Sequence, residues 1–303
     1  MNQPSPNPKK VSVVYDSTLK KRLVSSRQYC KFLAEVIDSK KPLLVTRVGG
    51  IEGQIFWGAI LSADKNGLKS LPDSLLRQAR VNAGINRTSL RYLKRFSMEL
   101  GAALCNADAL GIWDYIHQAK IVKWSGCNKV VKLNDMNPIT CGLDPSLSWT
   151  HSLAQKNVLV ILPFESTLLQ QFKKISERKL LASLWPSDVK FSCISPPVTF
   201  AGMNAELDWH QELNKFCSRL ASIDFDVALI GAGAYGALIA DFIKRSGKQA
   251  IHLGGSTQLL FGIMGGRWTD NKRVLSHFNA AWSRPSKQEV PVLHNKVDQS
   301  SYW

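Results

Sequence analysis

The stretch FDVALIGAGAYGALIADFIKRSGKQAIHL (residues 225–253) decides the fold. An uninterrupted apolar strand, FDVALI, leads into the glycine turn GAGAYG, a helical segment at 234–246 and a second apolar strand, QAIHL. Strands that are apolar throughout are typical of parallel sheets that helices cover on both faces. We therefore predict a strand–helix–strand unit of a parallel sheet at this point of the chain.

The same alternation extends toward the N-terminus. Apolar strands are predicted at NVLVILPF (157–164) and VKFSCI (189–194), each followed by a helical segment. Further upstream, the hydrophobic spacing predicts short strands at 43–46 and 108–112 and helices at 25–39, 72–81 and 87–105. The sequence thus predicts an α/β fold with a Rossmann-like, mostly parallel sheet and helices on both faces.

Composition divides the chain into three parts. Residues 1–24 read as a flexible basic leader, and residues 286–303 as a polar, loosely ordered tail. Between them lies a single α/β domain, 25–285, with an N-terminal half at 25–145 and a Rossmann-type half at 150–268.

Composition also excludes several classes of protein. The net charge of +16 favours anionic partners such as phosphates, but no nucleic-acid-binding motif is present, so we expect no nucleic acid partner. The six cysteines have neither zinc-site nor disulfide spacing, which is typical of a cytoplasmic protein. The longest apolar run, 227–240, is shorter than the ~20 residues of a membrane span. The basic segment at 87–95 is first of all consistent with a solvated helix face, and a second use of it would be peripheral contact with the inner membrane surface.

The glycine turn has the spacing G-x-G-x-x-G at Gly231, Gly233 and Gly236. At the carboxyl end of a parallel strand, such a turn lets the backbone approach a phosphate, and the next helix presents free N–H groups to it. A dinucleotide would also need an acidic residue after the next strand, where GGSTQ stands instead. The turn therefore indicates an anion site, or glycines that serve packing alone, and it disfavours NAD.

Two further glycine loops follow in the sequence. The first is GGSTQ (254–258), and the second contains Gly262, Gly265 and Gly266 and precedes Arg267 and Trp268. Arginine can pair with phosphate in a fork geometry, so loops that converge at strand ends predict a phosphate-bearing ligand across them. The predicted ligand-binding residues are Gly49, Gly231, Gly233, Tyr235, Gly236, His252, Gly254, Gly255, Gln258 and Arg267.

Three segments resemble a known family. Residues 224–268 are similar to the C-terminal signature of bacterial polysaccharide-biosynthesis proteins related to glycosyltransferases of the GT-D fold. SWTHSLAQKNVLVILPFESTLLQQF (148–172) resembles that family's Pro-Trp, strand, Pro-Phe and Gln-rich helix segment, and VTRVGGIEG (45–53) resembles its Arg-Phe-Gly-Asp-Gly-Glu motif. The resemblance spans about residues 42–268. It implies a Rossmann-like fold and sugar transfer from a nucleotide donor, assisted by a divalent metal.

In the family motif an Asp and a Glu serve the donor diphosphate and its metal. Arg47, Gly49 and Glu52 match the motif, whereas Gly50 stands where the family has the Asp. The resemblance therefore implies Glu52 as the ligand for Mn²⁺ or Mg²⁺, and a single carboxylate is a poor site unless the diphosphate adds oxygens.

Glycosyl transfer needs stabilisation of the leaving diphosphate and, in most cases, a general base. The first role could fall to the helix N-terminus at Ala234, to Arg47, to Arg267 or to a metal near Glu52. Arg47 stands at a strand end beside two glycines, which suits phosphate contact, and a structural ion pair with Glu52 is the alternative. Glu52 is the first candidate base. Glu165 and His252 also follow or end strands, but a Glu in a first helical turn complements the helix dipole and a strand His is commonly a core residue.

These observations predict a glycosyltransferase-like protein of cell-surface polysaccharide biosynthesis. Its donor would be a nucleotide sugar, and a UDP-sugar is the first candidate. Its acceptor would be a saccharide or a lipid-linked saccharide. The alternatives are a non-catalytic nucleotide-sugar- or phosphate-binding protein, which Gly50 favours, and an NAD-dependent oxidoreductase, which the missing acidic residue disfavours.

Overall fold

The computed structural model describes residues 17–61, 71–113 and 117–303. Within these ranges eight strands, all parallel, form one sheet in the order β1-β4-β3-β2-β8-β7-β5-β6. The strands are β1 Leu23–Val24, β2 Leu43–Arg47, β3 Ala109–Ile112, β4 Val130–Lys132, β5 Asn157–Ile161, β6 Lys190–Ile194, β7 Val227–Ile230 and β8 Gln249–His252. The predicted Rossmann-like α/β fold is confirmed.

Helices connect the strands and cover the sheet. They are α1 Ser17–Arg22, α2 Ser26–Ser39, α3 Gly50–Phe56, α4 Asp73–Val81, α5 Leu90–Cys105, α6 Gln118–Ser125, α7 Leu133–Met136, α8 Glu165–Ser176, α9 Trp209–Ala221, α10 Gly236–Arg245 and α11 Lys272–Leu275. A π-helical turn, Trp57–Leu61, continues α3. None of the helices in the described ranges combines the length and the apolar composition that crossing a bilayer requires.

The two predicted halves share one sheet, and they meet where β2 lies beside β8. Val45 pairs with Ile251 and Leu44 with Ala250 in this register. The chain leaves β2 toward β3, on the side away from β8, whereas the segment after β8 packs against α8. Connections that diverge from neighbouring parallel strands open a crevice at their carboxyl ends, where ligands of such sheets bind.

Alternate residues of the strands build two separate cores. Leu44 and Ala250 face the core that contains the apolar sides of α5, α9 and α10. Val45 and Ile251 face the opposite core, which includes α2 and α8. Full burial of one such aliphatic side chain contributes about 1.5–3 kcal/mol to the free energy of folding. Packing in these two cores therefore fixes the positions of the strand ends.

The chain termini differ from their predicted state. Residues 1–16 of the expected leader lie outside the described residues, but residues 17–24 form α1 and β1, and Leu23 pairs with Val130 of β4. In the expected polar tail, Val297 and Trp303 are buried. Two- and three-residue strands such as β1 and β4 are too short to give a periodic pattern, and the tail is held by a few apolar anchors among polar residues.

Helix α8 receives its N-terminal cap from a distant segment. The capping position, Phe164, offers no side-chain acceptor. Glu289 supplies one instead, because its Oε1 accepts hydrogen bonds from the main-chain N–H of Ser166 at 2.7 Å and of Thr167 at 3.3 Å. Its Oε2 accepts from the Thr167 hydroxyl and from Ser286. A carboxylate at this end also complements the helix dipole.

Replacing Glu289 with Ala is expected to lower the free energy of unfolding by about 1–2 kcal/mol, the usual cost of losing an N-cap. Chemical denaturation of the variant and the parent chain measures the difference. Glu206→Ala, which removes an exposed glutamate, is the control and is expected to change stability by less than about 0.5 kcal/mol. Equal stability of the Glu289→Ala variant and the parent would contradict the capping role.

Candidate functional site

The carboxyl ends of β2 and β8 bring together predicted residues of both halves, and this part of the sheet edge is here called the crevice. Arg47 ends β2, and Gly49 and Glu52 follow it. His252 ends β8, and Gly254 follows it two residues later. Because all strands of the sheet run in the same direction, their carboxyl ends share one edge, and residues from the divergent N-terminal motif meet the second glycine loop there.

Arg47 lies directly against Gly254. A Cβ atom on Gly254 would stand 2.5 Å from both Nε and Nη2 of Arg47, and Gly254 has a φ of +65°, so this position accepts only glycine without strain. The Arg47 Nε is buried and has no hydrogen-bond partner among the described residues. A buried donor without a partner costs about 1–3 kcal/mol, and a bound oxyanion would remove that cost.

Glu52 lies in the first turn of α3, and its carboxylate folds back over Gly49. A Cβ atom on Gly49 would meet Oε2 of Glu52 at 2.0 Å, so Gly49 makes room for the carboxylate. Burial raises the pKa of Glu52, while the Arg47 cation lowers it and the Asp298 carboxylate raises it. The carboxyl group is thus a desolvated acid beside a cation, which is an arrangement typical of proton-transfer groups.

His252 belongs to the interior rather than to the crevice. Its Nδ1 lies 2.9 Å from the Thr46 hydroxyl, and its Nε2 has no partner in the described part of the chain. Burial, together with the Arg47 charge, lowers the pKa of His252 to about 3, so the ring is neutral. A Cβ atom on Gly236 would meet Nε2 at 2.2 Å. Gly236 and His252, both predicted to contact ligand, therefore contact each other beneath α10.

The turn after β7 packs against the loop after β8. A Cβ atom on Gly231 would stand 2.5 Å from Leu162 Cδ2 and 2.6 Å from the Gly254 carbonyl oxygen. The Thr257 hydroxyl lies 2.7 Å from each of the carbonyl oxygens of Ile230 and Gly254, which ties the two loops together. Gly231 is therefore buried in the contact between these two loops and does not face solvent.

The rest of the fingerprint turn divides between surface and core. Gly233 is exposed and has a φ of +52°. Tyr235 is buried, and its ring stacks on Trp209 with centroids 4.3 Å apart. Its hydroxyl lies 3.2 Å from that of Thr199, and burial raises the pKa of the Tyr235 phenol. Of these two predicted ligand-binding residues, only Gly233 presents its backbone to solvent.

Residues 298–303, here called the C-terminal strap, cover the loops that contain Gly255, Gln258 and Arg267. The Tyr302 ring lies over Gly255. The Gln258 amide donates a hydrogen bond of 3.2 Å to the Tyr302 carbonyl. Arg267 pairs with Asp298 at 3.1 Å, and its guanidinium lies 4.9 Å from the Tyr302 ring centroid. The strap was not predicted from the sequence, where its signal was the pair of adjacent aromatic residues, Tyr302 and Trp303.

Asn82, also missed, reaches the same place from the end of α4. Its side-chain amide donates a hydrogen bond of 3.0 Å to Asp298. The segment around it carried no strand signal, because it belongs to the connection between two helices. Asn82 and Arg267 thus form a pair of donors around one carboxylate at the rim of the crevice.

The residues present do not fit a protein-held divalent metal. Within residues 17–61, 71–113 and 117–303, no three His, Cys, Asp or Glu side chains come together as a ligand group. Glu52 has a raised pKa and lies beside the Arg47 cation, which competes for its carboxylate. Mg²⁺ and Mn²⁺ favour several oxygen ligands, and Gly50 supplies no side chain.

A second, open cleft of about 620 Å³ lies at the carboxyl ends of β5 and β6. Its lining includes Pro163, Glu165, Leu169, Ser195 and Glu289. The Glu165 carboxylate accepts a hydrogen bond of 3.3 Å from the Ser195 hydroxyl. Glu165, the alternative base of the sequence analysis, therefore lies in a cleft separate from Arg47 and Glu52.

Two features define the chemistry of the crevice: a buried cationic donor that has no hydrogen-bond partner among the described residues, and a desolvated carboxyl group beside it. The donor belongs to the last residue of β2 and the carboxyl group to the helix that follows, and the loop after β8 packs against the donor. A comparison of the chain with protein-family models, with curated proteins and with solved structures found no match.

Proposed function

We propose that this chain is a glycosyltransferase-like protein that binds a nucleotide sugar in the crevice between β2 and β8. A UDP-sugar is the first candidate for that nucleotide sugar. The observation that carries the proposal is the buried Arg47 Nε, which lacks a partner in the described residues and lies against Gly254 next to Glu52. The diphosphate of a nucleotide sugar is the group that would accept a hydrogen bond from the Arg47 Nε.

In the proposed reaction the acceptor hydroxyl oxygen forms a bond to the anomeric carbon of the donor sugar. The bond between that carbon and the diphosphate oxygen breaks, and the electron pair leaves with the nucleoside diphosphate. Arg47 neutralises the charge that develops on the leaving group, and Glu52 takes the proton of the acceptor hydroxyl. The raised pKa of Glu52 brings this base nearer to neutral pH, where proton transfer is most efficient.

The proposed acceptor is a saccharide or a lipid-linked saccharide of cell-surface polysaccharide biosynthesis. The outer side of α5 supports peripheral membrane contact in the cytoplasm, because Arg91, Lys94 and Arg95 are exposed there together with Met98, which is 61% exposed. Helix α5 packs against α3, the helix that carries Glu52. Basic side chains of this kind are attracted to anionic lipid headgroups.

A second candidate is a nucleotide-sugar-binding protein without catalysis. It is favoured by Gly50, which leaves Glu52 as the carboxylate of the motif. Donor hydrolysis or transfer, measured with the nucleotide sugar that binds most tightly, separates the two candidates. An NAD-dependent oxidoreductase is disfavoured, since β8 ends in a buried histidine rather than an acidic residue.

Binding tests the proposal directly. UDP-, GDP- and CMP-sugars and NAD, each with and without Mn²⁺, are screened by thermal unfolding, and UDP is then titrated by calorimetry. We expect stabilisation by a nucleotide sugar and none by NAD. Arg47→Lys is expected to weaken UDP binding about tenfold, because lysine retains the charge but loses the Nε donor and the fork geometry.

Arg27→Lys, an exposed substitution on α2, is the matched control and is expected to leave the UDP affinity unchanged. If Arg47→Lys binds UDP as tightly as the parent chain does, Arg47 is not the phosphate ligand. If no nucleotide sugar stabilises the chain, the proposed function is wrong.

A further inference from the structure

The C-terminal strap lies across the glycine loops that the sequence assigns to phosphate binding. A Cβ atom on Gly255 would meet the Tyr302 ring at 2.1 Å. Added at Gly265 and Gly266, it would stand 2.6 Å from the Ser301 carbonyl oxygen and 3.2 Å from that of Ser300, respectively. These glycines therefore allow the strap to lie close against the backbone of the loops.

The strap accepts hydrogen bonds from main-chain and side-chain donors that would also suit an oxyanion. The N–H of Gly266 donates to the Trp303 carbonyl and the N–H of Arg267 to the Ser301 carbonyl, each at 3.1 Å. The carbonyl oxygens of the strap thus occupy positions in which consecutive amides would hold phosphate oxygens.

The carboxylate of Asp298 completes this set of contacts. It accepts hydrogen bonds from Arg267 Nη2 at 3.1 Å and from the Asn82 amide at 3.0 Å. A guanidinium and an amide around one carboxylate offer the same charge-assisted hydrogen bonds that a phosphate accepts. Asp298 also raises the pKa of Glu52, so the strap brings negative charge toward the proposed site.

The strap is held in a conformation that non-glycine residues rarely adopt. Asp298 has a φ of 43° and Ser300 a φ of 65°, both in the left-handed region. Trp303 anchors the end of the strap, since it is buried and its indole N–H donates to the Glu289 carbonyl at 3.1 Å. Residues in such conformations cluster at ligand clamps and switch regions, where the surrounding contacts hold them.

We propose that the C-terminal strap competes with the nucleotide for donors that extend the proposed diphosphate site beyond Arg47 and the Gly254 loop. These donors are the side chains of Asn82 and Arg267 and the main-chain amides of Gly266 and Arg267. A nucleoside diphosphate displaces Asp298 and the strap carbonyls from these donors, and the strap returns when the nucleotide leaves. The strap thereby lowers the affinity for nucleotides that lack the binding energy to displace it. This inference rests on the proposed function, because it takes a nucleoside diphosphate as the ligand.

Hydrogen exchange of the full chain, with and without saturating UDP, tests the displacement. We expect slower exchange in residues 254–267 and faster exchange of the amides of Ser300 and Trp303, which donate within the strap region when it is seated. Slower exchange in 254–267 with no change in the strap overturns the strap proposal and leaves the proposed function intact. No change in either segment overturns both.

A point variant gives the second test without truncating the chain. Asp298→Asn removes the charge that pairs with Arg267, and UDP is expected to bind this variant about fivefold more tightly, a coupling in the range common between competing occupants. Asp270→Asn removes an exposed charge two residues beyond Trp268 and is expected to bind UDP as the parent chain does. Equal or weaker binding by Asp298→Asn overturns the competition.

Discussion

Glu52→Gln is expected to reduce sugar transfer at least 100-fold, the lower end of what a positioned general base contributes. The substitution keeps the shape of the side chain over Gly49 and removes the ability to take a proton, together with the negative charge beside Arg47. Turnover with the nucleotide sugar found by the binding screen measures the loss, and UDP affinity is expected to stay within a few-fold of the parent value.

The same substitution is expected to stabilise the chain at pH 7. Burial raises the pKa of Glu52 in the folded chain, so the folded state binds this proton more tightly than the unfolded state does. The free energy of unfolding therefore falls as pH rises from the unfolded-state pKa through the folded-state pKa. Ionisation of the buried carboxyl group therefore costs stability, and glutamine avoids that cost. Thermal unfolding between pH 4 and pH 7 measures the change in slope.

Glu165→Gln is the matched control, because Glu165 also follows a strand but lies in the separate cleft beside Ser195. Its turnover is expected to match that of the parent chain. If Glu165→Gln abolishes transfer and Glu52→Gln does not, the base is Glu165 and the acceptor binds in the second cleft. A loss of both activity and stability in Glu52→Gln would indicate a structural role for Glu52.

Gly231→Ala is expected to lower the free energy of unfolding by about 3 kcal/mol, the upper end of the cost of overpacking a filled interior. The added methyl group would stand 2.6 Å from the Gly254 carbonyl oxygen and 2.5 Å from Leu162. The carbonyl belongs to the backbone of the neighbouring loop, so the collision cannot be relieved by a change of rotamer. Chemical denaturation measures the cost.

Gly247→Ala separates crowding from backbone strain. Gly247 has a φ of +83°, and no heavy atom lies within 4 Å of a Cβ atom placed there. Alanine at this position is expected to cost about 1 kcal/mol through conformation alone. A cost for Gly231→Ala no larger than that for Gly247→Ala would mean that the loops after β7 and β8 are not packed against each other.

The sequence was sufficient to predict which elements end at the functional edge. Continuous apolar strands such as 227–230 require a parallel sheet, and a parallel sheet places Arg47 and Gly254 on one edge even though more than two hundred residues separate them. Direct contact between the two also depends on β2 and β8 being neighbours, and strand order is set by how helices pack on both faces. No local pattern carries that information.

Other features of the site depend on contacts that spacing cannot show. The G-x-G-x-x-G pattern does not distinguish a glycine that meets a phosphate from Gly236, which makes room for the His252 ring. Nor does polar composition distinguish a loose tail from a strap, because Trp303 and Val297 are enough to hold residues 298–303 over the loops. Both cases turn on which distant side chain fills the space that a glycine leaves.

A structure of the chain with bound UDP tests the central claim most directly. We predict the diphosphate in the crevice between β2 and β8, with a phosphate oxygen within hydrogen-bond distance of the Arg47 Nε and next to the Gly254 loop. UDP bound in the cleft lined by Glu165 and Ser195, or elsewhere, with the Arg47 Nε still unpartnered would contradict the account.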